Sequence, residues 1–450
     1  MTHSSTPLQR GRVAVVFATF TLLLTTQFLG NFTRVGSPDI PDQWQADVFE
    51  TFRKDADRYI TDTLEIVRTN GVTSTGGFFV RKGEIYTTCS GLQAQVAIAG
   101  FKLLGGNVRR CAKVGHFLFA LAAAMLLTGF LLRVSREYGT AAAVTGVLLL
   151  LCSDWLVFVA RNLYFMYFLM LAPFVFSFLS FPKVLDDTKF RFGHFLAITG
   201  VLILLCALRG YEYITNIILS ASIGPIYYGL LRGERLRRIG FRIAMITAVG
   251  LAAFGLAMVI NVVQASAFLG SFDKGFESVW GKALARTFGP NTPGQQYHDS
   301  APPGVTISQM LNRYLALEVL SVPFLGDKAR FTPRIYLTLG AAIAAFAAFL
   351  LGVCTGVAAA RRRLAEMPDE ARRLFALCAA TVWGLGAALS WTILAKGHAY
   401  HHLHMNGVSF YIPFLPMFYA LLGAGVSLII RQSLNRNPNH SPSRSRSGKR

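Results

Sequence analysis

Ten stretches of this chain are nearly free of charge, and each is long enough to cross a bilayer. They run over about 13–30, 114–132, 138–160, 163–181, 193–208, 213–231, 243–264, 335–360, 375–395 and 407–430. Each is close to the ~20 residues that a helix needs to cross a ~30 Å hydrocarbon core. In hydrocarbon every backbone N–H and C=O must be satisfied internally, so such blocks fold as helices. The expected fold is an all-α polytopic membrane protein with about ten transmembrane helices. The first block has no small-residue cleavage site before Asn31 and reads as a retained anchor. Only a short turn carrying Arg209 and Glu212 separates 193–208 from 213–231.

Charge gives the orientation. The chain carries 44 Lys and Arg against 23 Asp and Glu, a net +21. In a soluble protein that excess would point to nucleic acid, but membrane proteins concentrate basic residues in cytoplasmic loops. With the N-terminus inside, the inside segments are 1–12, 133–137, 182–192, 232–242, 361–374 and 431–450; they hold 23 of the basic residues and 7 of the acidic ones. Arg232, Arg235, Arg237 and Arg238 fall in one short loop, and Arg361–Arg363, Arg372 and Arg373 in another. Topology therefore accounts for the charge, and nucleic-acid binding is not needed. The organisation read from the sequence is a cytoplasmic N-terminus over 1–12, one transmembrane domain over 13–430, and a basic, Pro/Ser-rich cytoplasmic tail over 431–450 expected to be disordered. Two outside loops are long, about 31–113 and 265–334, and long loops in compact proteins carry function.

In the first loop, residues 42–69 place Val48, Phe49, Phe52, Ala56, Tyr59, Ile60, Leu64 and Val67 at three- and four-residue intervals with charges between them, the pattern of an amphipathic helix. A second short helix is expected over Leu92–Leu104, and the Gly-rich stretch GVTSTGGFFVRKGEIYTTCSG between them reads as irregular. Both helices suit the outer membrane surface.

The sequence Asp55-Ala56-Asp57-Arg58-Tyr59, on an amphipathic helix soon after the first span, resembles the acidic-x-x-Arg-Tyr segment of the GT-C superfamily of membrane glycosyltransferases. The layout of the first 180 or so residues resembles the lipid A aminoarabinose transferases and protein mannosyltransferases of that superfamily. Tyr86-Thr87-Thr88-Cys89-Ser90-Gly91-Leu92-Gln93 stands where those enzymes carry a Pro-Pro-Leu helix, without the prolines. The resemblance implies a GT-C-like fold and a sugar donor carried on polyprenyl phosphate. It also implies an acidic residue that orients or deprotonates the acceptor. One departure is clear: the family often has an acidic residue after the arginine that opens the fourth span, whereas Arg161-Asn162-Leu163-Tyr164-Phe165-Met166 has none.

The chemistry can be argued independently, and the loop supplies carboxylates at Asp39, Asp42, Asp47, Asp55, Asp57 and Asp62. Glycosyl transfer at an outer leaflet cannot draw on cytosolic nucleotide sugars, so a lipid-phosphate sugar is the available donor. The step needs a carboxylate within reach of the acceptor hydroxyl and cations where charge develops on the departing phosphate. Asp55 and Asp57 are the candidate catalytic carboxylates, with Asp39 and Asp42 of SPDIPDQW as the second pair. Candidate donor-phosphate ligands are Arg109, Arg110, Arg161, Arg209, Lys396, His398 and His402; Tyr59, Asp154, Glu212 and His404 complete the set. Each carboxylate can equally be a solvated charge on a surface helix. Asp154 lies seven residues before Arg161 and can be its structural ion-pair partner. Glu212, whose turn faces the same side, is the replacement for the missing second acidic residue.

Four of the nine histidines fall in Lys396-Gly397-His398-Ala399-Tyr400-His401-His402-Leu403-His404. They can grip phosphate, or sit at the interface without chemistry. His398 and His402 also have the i,i+4 spacing of metal ligands, but no carboxylate stands alongside, so no metal set is assigned and a divalent cation is left open. No other cofactor is indicated. Two amphipathic helices around a Pro/Gly-rich turn are expected in 265–334, shaping the cleft or anchoring a flap through Phe276 and Trp280. Six scattered cysteines give no framework, though Cys89 and Cys111 share the outer side and a bond between them is left open.

The function expected is transfer of a sugar from a polyprenyl-phosphate donor to an extracytoplasmic glycan, lipid or protein acceptor. The protein would lie in the inner membrane of a bacterium, multi-pass, with both termini cytoplasmic and the active site outside. A polysaccharide polymerase or ligase is the alternative within the same chemistry, and a lipid-linked-glycan transporter or flippase the alternative from another class. A transporter should gather its polar residues near the midplane and show paired broken helices in matching halves. No internal repeat is visible here, and the polar residues collect at helix ends.

Overall fold

The computed structural model describes residues 7–33, 58–81, 84–87, 89–186, 191–288, 306–323, 334–359, 368–395, 399 and 403–436. Asp39, Asp42, Asp55, Asp57, Lys396, His398 and His402 lie outside them, as do the side chains of Asp154 and His404. Among the described residues the structure is almost wholly helical. Eight helices are long and apolar enough to cross a membrane, and two shorter apolar ones, Thr140–Leu151 and Leu339–Gly352, complete the set. The polytopic all-α expectation is met.

The chain runs through α1 (Pro7–Gly30), α2 (58–70), α3 (Leu92–Leu103), α4 (Val108–Tyr138), α5 (Thr140–Leu151), α6 (Asp154–Ala160), α7 (Tyr167–Asp186) and α8 (Phe192–Arg209). It continues through α9 (Ile214–Ser220), α10 (Ile223–Leu231), α11 (Leu236–Leu269), α12 (Phe272–Phe288), α13 (Ile307–Leu315), α14 (Leu339–Ala359) and α15 (Asp369–Leu394), and ends in Leu403–Phe410 and Phe414–Arg436. Small residues let the spans approach closely. A Cβ on Gly423 would lie 2.3 Å from the Ala142 carbonyl oxygen, and one on Gly224 2.3 Å from that of Ser177. Such contacts replace the hydrophobic drive that helices lose in lipid.

Several boundaries differ from the hydropathy reading, and for local reasons. The block at 138–160 is two helices broken at Cys152–Ser153. The break leaves the Leu151 carbonyl free, and Gln27 Nε2 (2.8 Å) and Thr33 Oγ1 (3.0 Å) both donate to it from the end of α1. The 213–231 block breaks at Ala221–Ser222, and the last block at 411–413. The 335–360 block begins as a strand, Arg334–Thr338, paired antiparallel with Glu318–Pro323. The stretch read as irregular contains a hairpin, Phe79–Arg81 against Glu84–Tyr86, with Phe79 opposite Tyr86 and their rings stacked at 4.7 Å. Of the helix expected over 42–69, the described part is α2. The helices expected in the second loop are α12 and α13, the latter closed by a capping box between Thr306 and Gln309.

The two ends of the bundle are built differently. At one end the short basic connections are tied to each other. Arg133 pairs with Glu137 (2.8 Å) and donates to Tyr228 Oη (2.8 Å). Tyr138 Oη donates to the Arg373 carbonyl (2.8 Å), Arg373 donates to the Glu137 carbonyl (2.9 Å), and Arg431 to the Tyr138 carbonyl (3.0 Å). Arg232 pairs with Asp186. At the other end the two long loops pack over the helix ends, and α2, α3 and the start of α4 share a small core of Ile60, Leu64, Ile98, Phe101 and Cys111 with Leu163. Cys89 and Cys111 are not joined by a disulfide bond.

The charge bias leads to the expectation that the basic end faces the cytoplasm. Arg68 and Arg238 are exposed at opposite ends, so Arg68→Cys should react with an impermeant thiol reagent on intact cells and Arg238→Cys should not. Their ion partners are surface pairs that contribute little to stability. The reverse labelling would invert the orientation.

Candidate functional site

The turn between α8 and α9 is where the charged groups of the loop-covered end are buried. Arg209 is 0% and Glu212 2% exposed. Arg209 Nη2 donates to the backbone carbonyl of Glu212 (3.3 Å), which closes the turn over the guanidinium. A Cβ on Gly210 would sit 2.3 Å from Glu212 Oε2, so glycine there lets the carboxylate fold back along its own backbone. Tyr213 follows in the left-handed region at φ 65°, a conformation that costs a non-glycine residue about 1–2 kcal/mol. Asn31 (φ 45°) and Met166 (φ 43°) are the other described non-glycine residues there, and both flank the same end of the bundle. Strained backbone of this kind collects at functional sites.

Glu212 is reached from α2 in two steps. Tyr164 Oη donates to Glu212 Oε1 (3.3 Å). Asn162 positions that tyrosine: its Oδ1 accepts the N–H groups of Tyr164 (2.9 Å) and Phe165 (3.0 Å), an Asx turn that links α6 to α7. The Tyr164 ring meets Tyr59 at 5.5 Å and Phe79 at 5.4 Å. Thr63 of α2 accepts the Val80 N–H (2.8 Å), holding the hairpin to the helix. Tyr59 is the second described residue of α2.

The second long loop reaches the same turn. Phe78, Tyr211, Ala265 and Val279 form one buried cluster, and Asn261 Nδ2 donates to Tyr211 Oη (2.7 Å). Tyr213 packs on Trp391 at 5.5 Å. Tyr314 of α13 donates to the Ala399 carbonyl (2.6 Å). Asn216 Nδ2 donates to the Ser409 carbonyl (2.7 Å), which ties α9 to the helix bearing His404.

The guanidinium of Arg209 is only partly satisfied. Its Nε and Nη1 are buried and have no hydrogen-bond partner among the described residues. Buried guanidinium donors left open are costly unless acceptors meet them.

The structure thus brings together Tyr59, Arg209 and Glu212 of the candidates read from the sequence. Arg161 is half-buried and donates to the Leu29 carbonyl (2.7 Å), capping the end of α1. Asp154 begins α6 and Arg161 follows its last residue, so the two stand at opposite ends of one short helix. Arg109 and Arg110 are exposed at the start of α4, where the Asn107 cap accepts the Arg110 N–H (2.9 Å), and no described contact joins them to Glu212. Tyr164, Asn162 and Asn261 were not singled out by the sequence, where an isolated Tyr or Asn in an apolar run carries no signal of its own. Among the described residues no group of three His, Cys, Asp or Glu could hold a metal.

No protein-family model matches this chain, and comparison with curated proteins found no match. Among solved structures, the apo form of the Archaeoglobus fulgidus oligosaccharyltransferase is similar over 96% of this chain and 52% of its own, at 11% identity and a TM-score of 0.43. The chain spans about half the length of that protein. A likeness of this strength carries no argument about activity.

Proposed function

We propose that this chain is a membrane glycosyltransferase that moves a sugar from a polyprenyl-phosphate donor to an extracytoplasmic acceptor, with its active site at the Glu212 turn. The observation that carries the reading is the partly unsatisfied Arg209 guanidinium beside Glu212, one tyrosine away from the helix that continues the Asp55-Ala56-Asp57-Arg58-Tyr59 motif. In this reading the acceptor hydroxyl gives its proton to Asp55 or Asp57. Its oxygen bonds to the anomeric carbon as the bond from that carbon to the phosphate oxygen breaks. The departing phosphate gains the electron pair, and Arg209 meets that charge in a water-poor setting where a cation acts most strongly. Glu212 holds the Tyr164 hydroxyl and supplies the second acidic group. His398 and His402 are further phosphate ligands in this reading.

Two outcomes follow for transfer from a defined polyprenyl-phosphate sugar in proteoliposomes. Arg209→Gln should lower the rate by about 10²–10³-fold, the scale for removing one group that stabilises developing charge, whereas Arg109→Gln and Arg110→Gln should cost far less. Gly210→Ala should also slow transfer by displacing the Glu212 carboxylate from Tyr164. Full activity in a well-folded Arg209→Gln protein would remove Arg209 from the site.

The acidic motif gives the other outcome. Asn at the catalytic member of the Asp55 and Asp57 pair should cut transfer by about 10²–10⁴-fold, the range of a positioned acid–base group, with donor binding retained. The other should tolerate Asn, because two residues on a helix turn by ~200° and cannot address one hydroxyl. Loss confined to Asp39→Asn or Asp42→Asn would move the carboxylate to SPDIPDQW. Full activity in all four variants would reject the glycosyltransferase reading.

A further inference from the structure

At the end of the bundle opposite the Glu212 turn, α10, α11 and α15 leave a groove of ≈ 360 Å³ between them. Its walls are Ile226, Leu236, Ile239, Ile243 and Trp383, with Gly386 opening its floor. Trp383 carries the one polar side-chain atom among these, and that indole N–H is already spent on the Leu219 carbonyl (2.9 Å). The groove therefore offers a ligand no hydrogen bond. Purely apolar cavities do not hold water, and the volume falls within the ≈ 300–1,000 Å³ of small-molecule sites. Hydrocarbon is the occupant that fits.

The mouth of the groove is cationic. Leu236, the first residue of α11, lies between Arg235 and Arg237 in sequence, and both arginines are exposed. Neighbouring arginines are engaged: Arg232 with Asp186, and Arg238 (3.5 Å) and Arg242 with Glu234. Arg235 and Arg237 make no ion pair among the described residues. Arg372 stands on the face of α15 that carries Ala379, Trp383 and Gly386, seven, eleven and fourteen residues further on, and its Nε has no partner among the described residues. The acidic residues of that first turn are taken up as well, Asp369 by Arg372 and Glu370 by Arg431 (3.5 Å). The start of a 34-residue helix adds its positive dipole end at the same place.

We propose that this groove and its arginines bind an anionic phospholipid, with one acyl chain between α10, α11 and α15 and the phosphate over Arg235 and Arg237. The pairing of a basic cluster with an interhelical pocket at one membrane face is what acidic lipid headgroups select. The site is separate from the Glu212 turn and does not depend on the function proposed for it.

Trp383 makes the proposal testable, because a brominated acyl chain quenches a tryptophan it touches. The full chain is placed in nanodiscs containing either brominated phosphatidylglycerol or brominated phosphatidylcholine at equal mole fraction. The Trp383 contribution is the wild-type signal minus that of Trp383→Phe. Phosphatidylglycerol should quench it at lower mole fraction than phosphatidylcholine. The Arg235→Gln/Arg237→Gln variant should erase that preference, at roughly fivefold per arginine. A Cβ on Gly386 would meet nothing within 4 Å, so Gly386→Leu builds into the groove's open space and should shield Trp383 from both lipids. Equal quenching by the two lipids overturns the proposal. So does a preference that survives the double variant, or quenching undiminished in Gly386→Leu.

Discussion

Burial of Arg209 and Glu212 in a short turn at the membrane's edge is the constraint around which the loop-covered end is organised. Two charged side chains at this depth are tolerable only if their surroundings replace the water they lose. The turn does part of this itself, through the Arg209 bond to the Glu212 carbonyl and the space left by Gly210. The rest comes from elements far apart in sequence. Tyr164 arrives from the α6–α7 connection, Tyr211 is held by Asn261 of α11, and Tyr213 is covered by Trp391 of α15. Each long loop contributes a layer over these residues. The described parts of both loops are therefore packed on the turn.

The opposite end solves a different problem. Its connections are short and basic, and they are joined by arginines bonding to backbone carbonyls and by the Tyr138–Tyr227 hydroxyl contact at 3.1 Å. Helix C-terminal carbonyls are the natural partners for arginine, both as acceptors and as the negative end of the dipole. The basic residues of these connections thus fasten the helices together. Arg235 and Arg237, left out of that network among the described residues, are the exception that marks the groove.

The spans were legible because hydropathy over twenty residues averages out local detail, and that same averaging hid the breaks. Nothing in TAAAVTGVLLLLCSDWLVFVA shows that the helix stops at Leu151, since the stop depends on Gln27 and Thr33 reaching across from α1. The hairpin at Phe79–Tyr86 was missed: FVR and EIY flank Lys82-Gly83, but the glycines around them read as an irregular loop. Arg209 and Glu212 were flagged as polar residues in a short turn, a place where charges usually face water. Their burial comes from loops tens of residues away and has no local signature. Arg161 drew notice through the Asp154 spacing, yet its bond goes to the Leu29 carbonyl, a partner that no periodicity reveals.

Helix α11 deserves a mechanical reading. At 34 residues it is about 51 Å long, against a hydrocarbon core of ~30 Å. A rod of that length leans or protrudes, and its lean is set by the thickness of the bilayer around it. Asn261 rides near its far end and holds Tyr211, next to Glu212, while Leu236 begins its near end beside the arginines. A change in lean therefore displaces both ends of the lever at once, and the thickness of the surrounding membrane becomes a quantity that the buried turn feels.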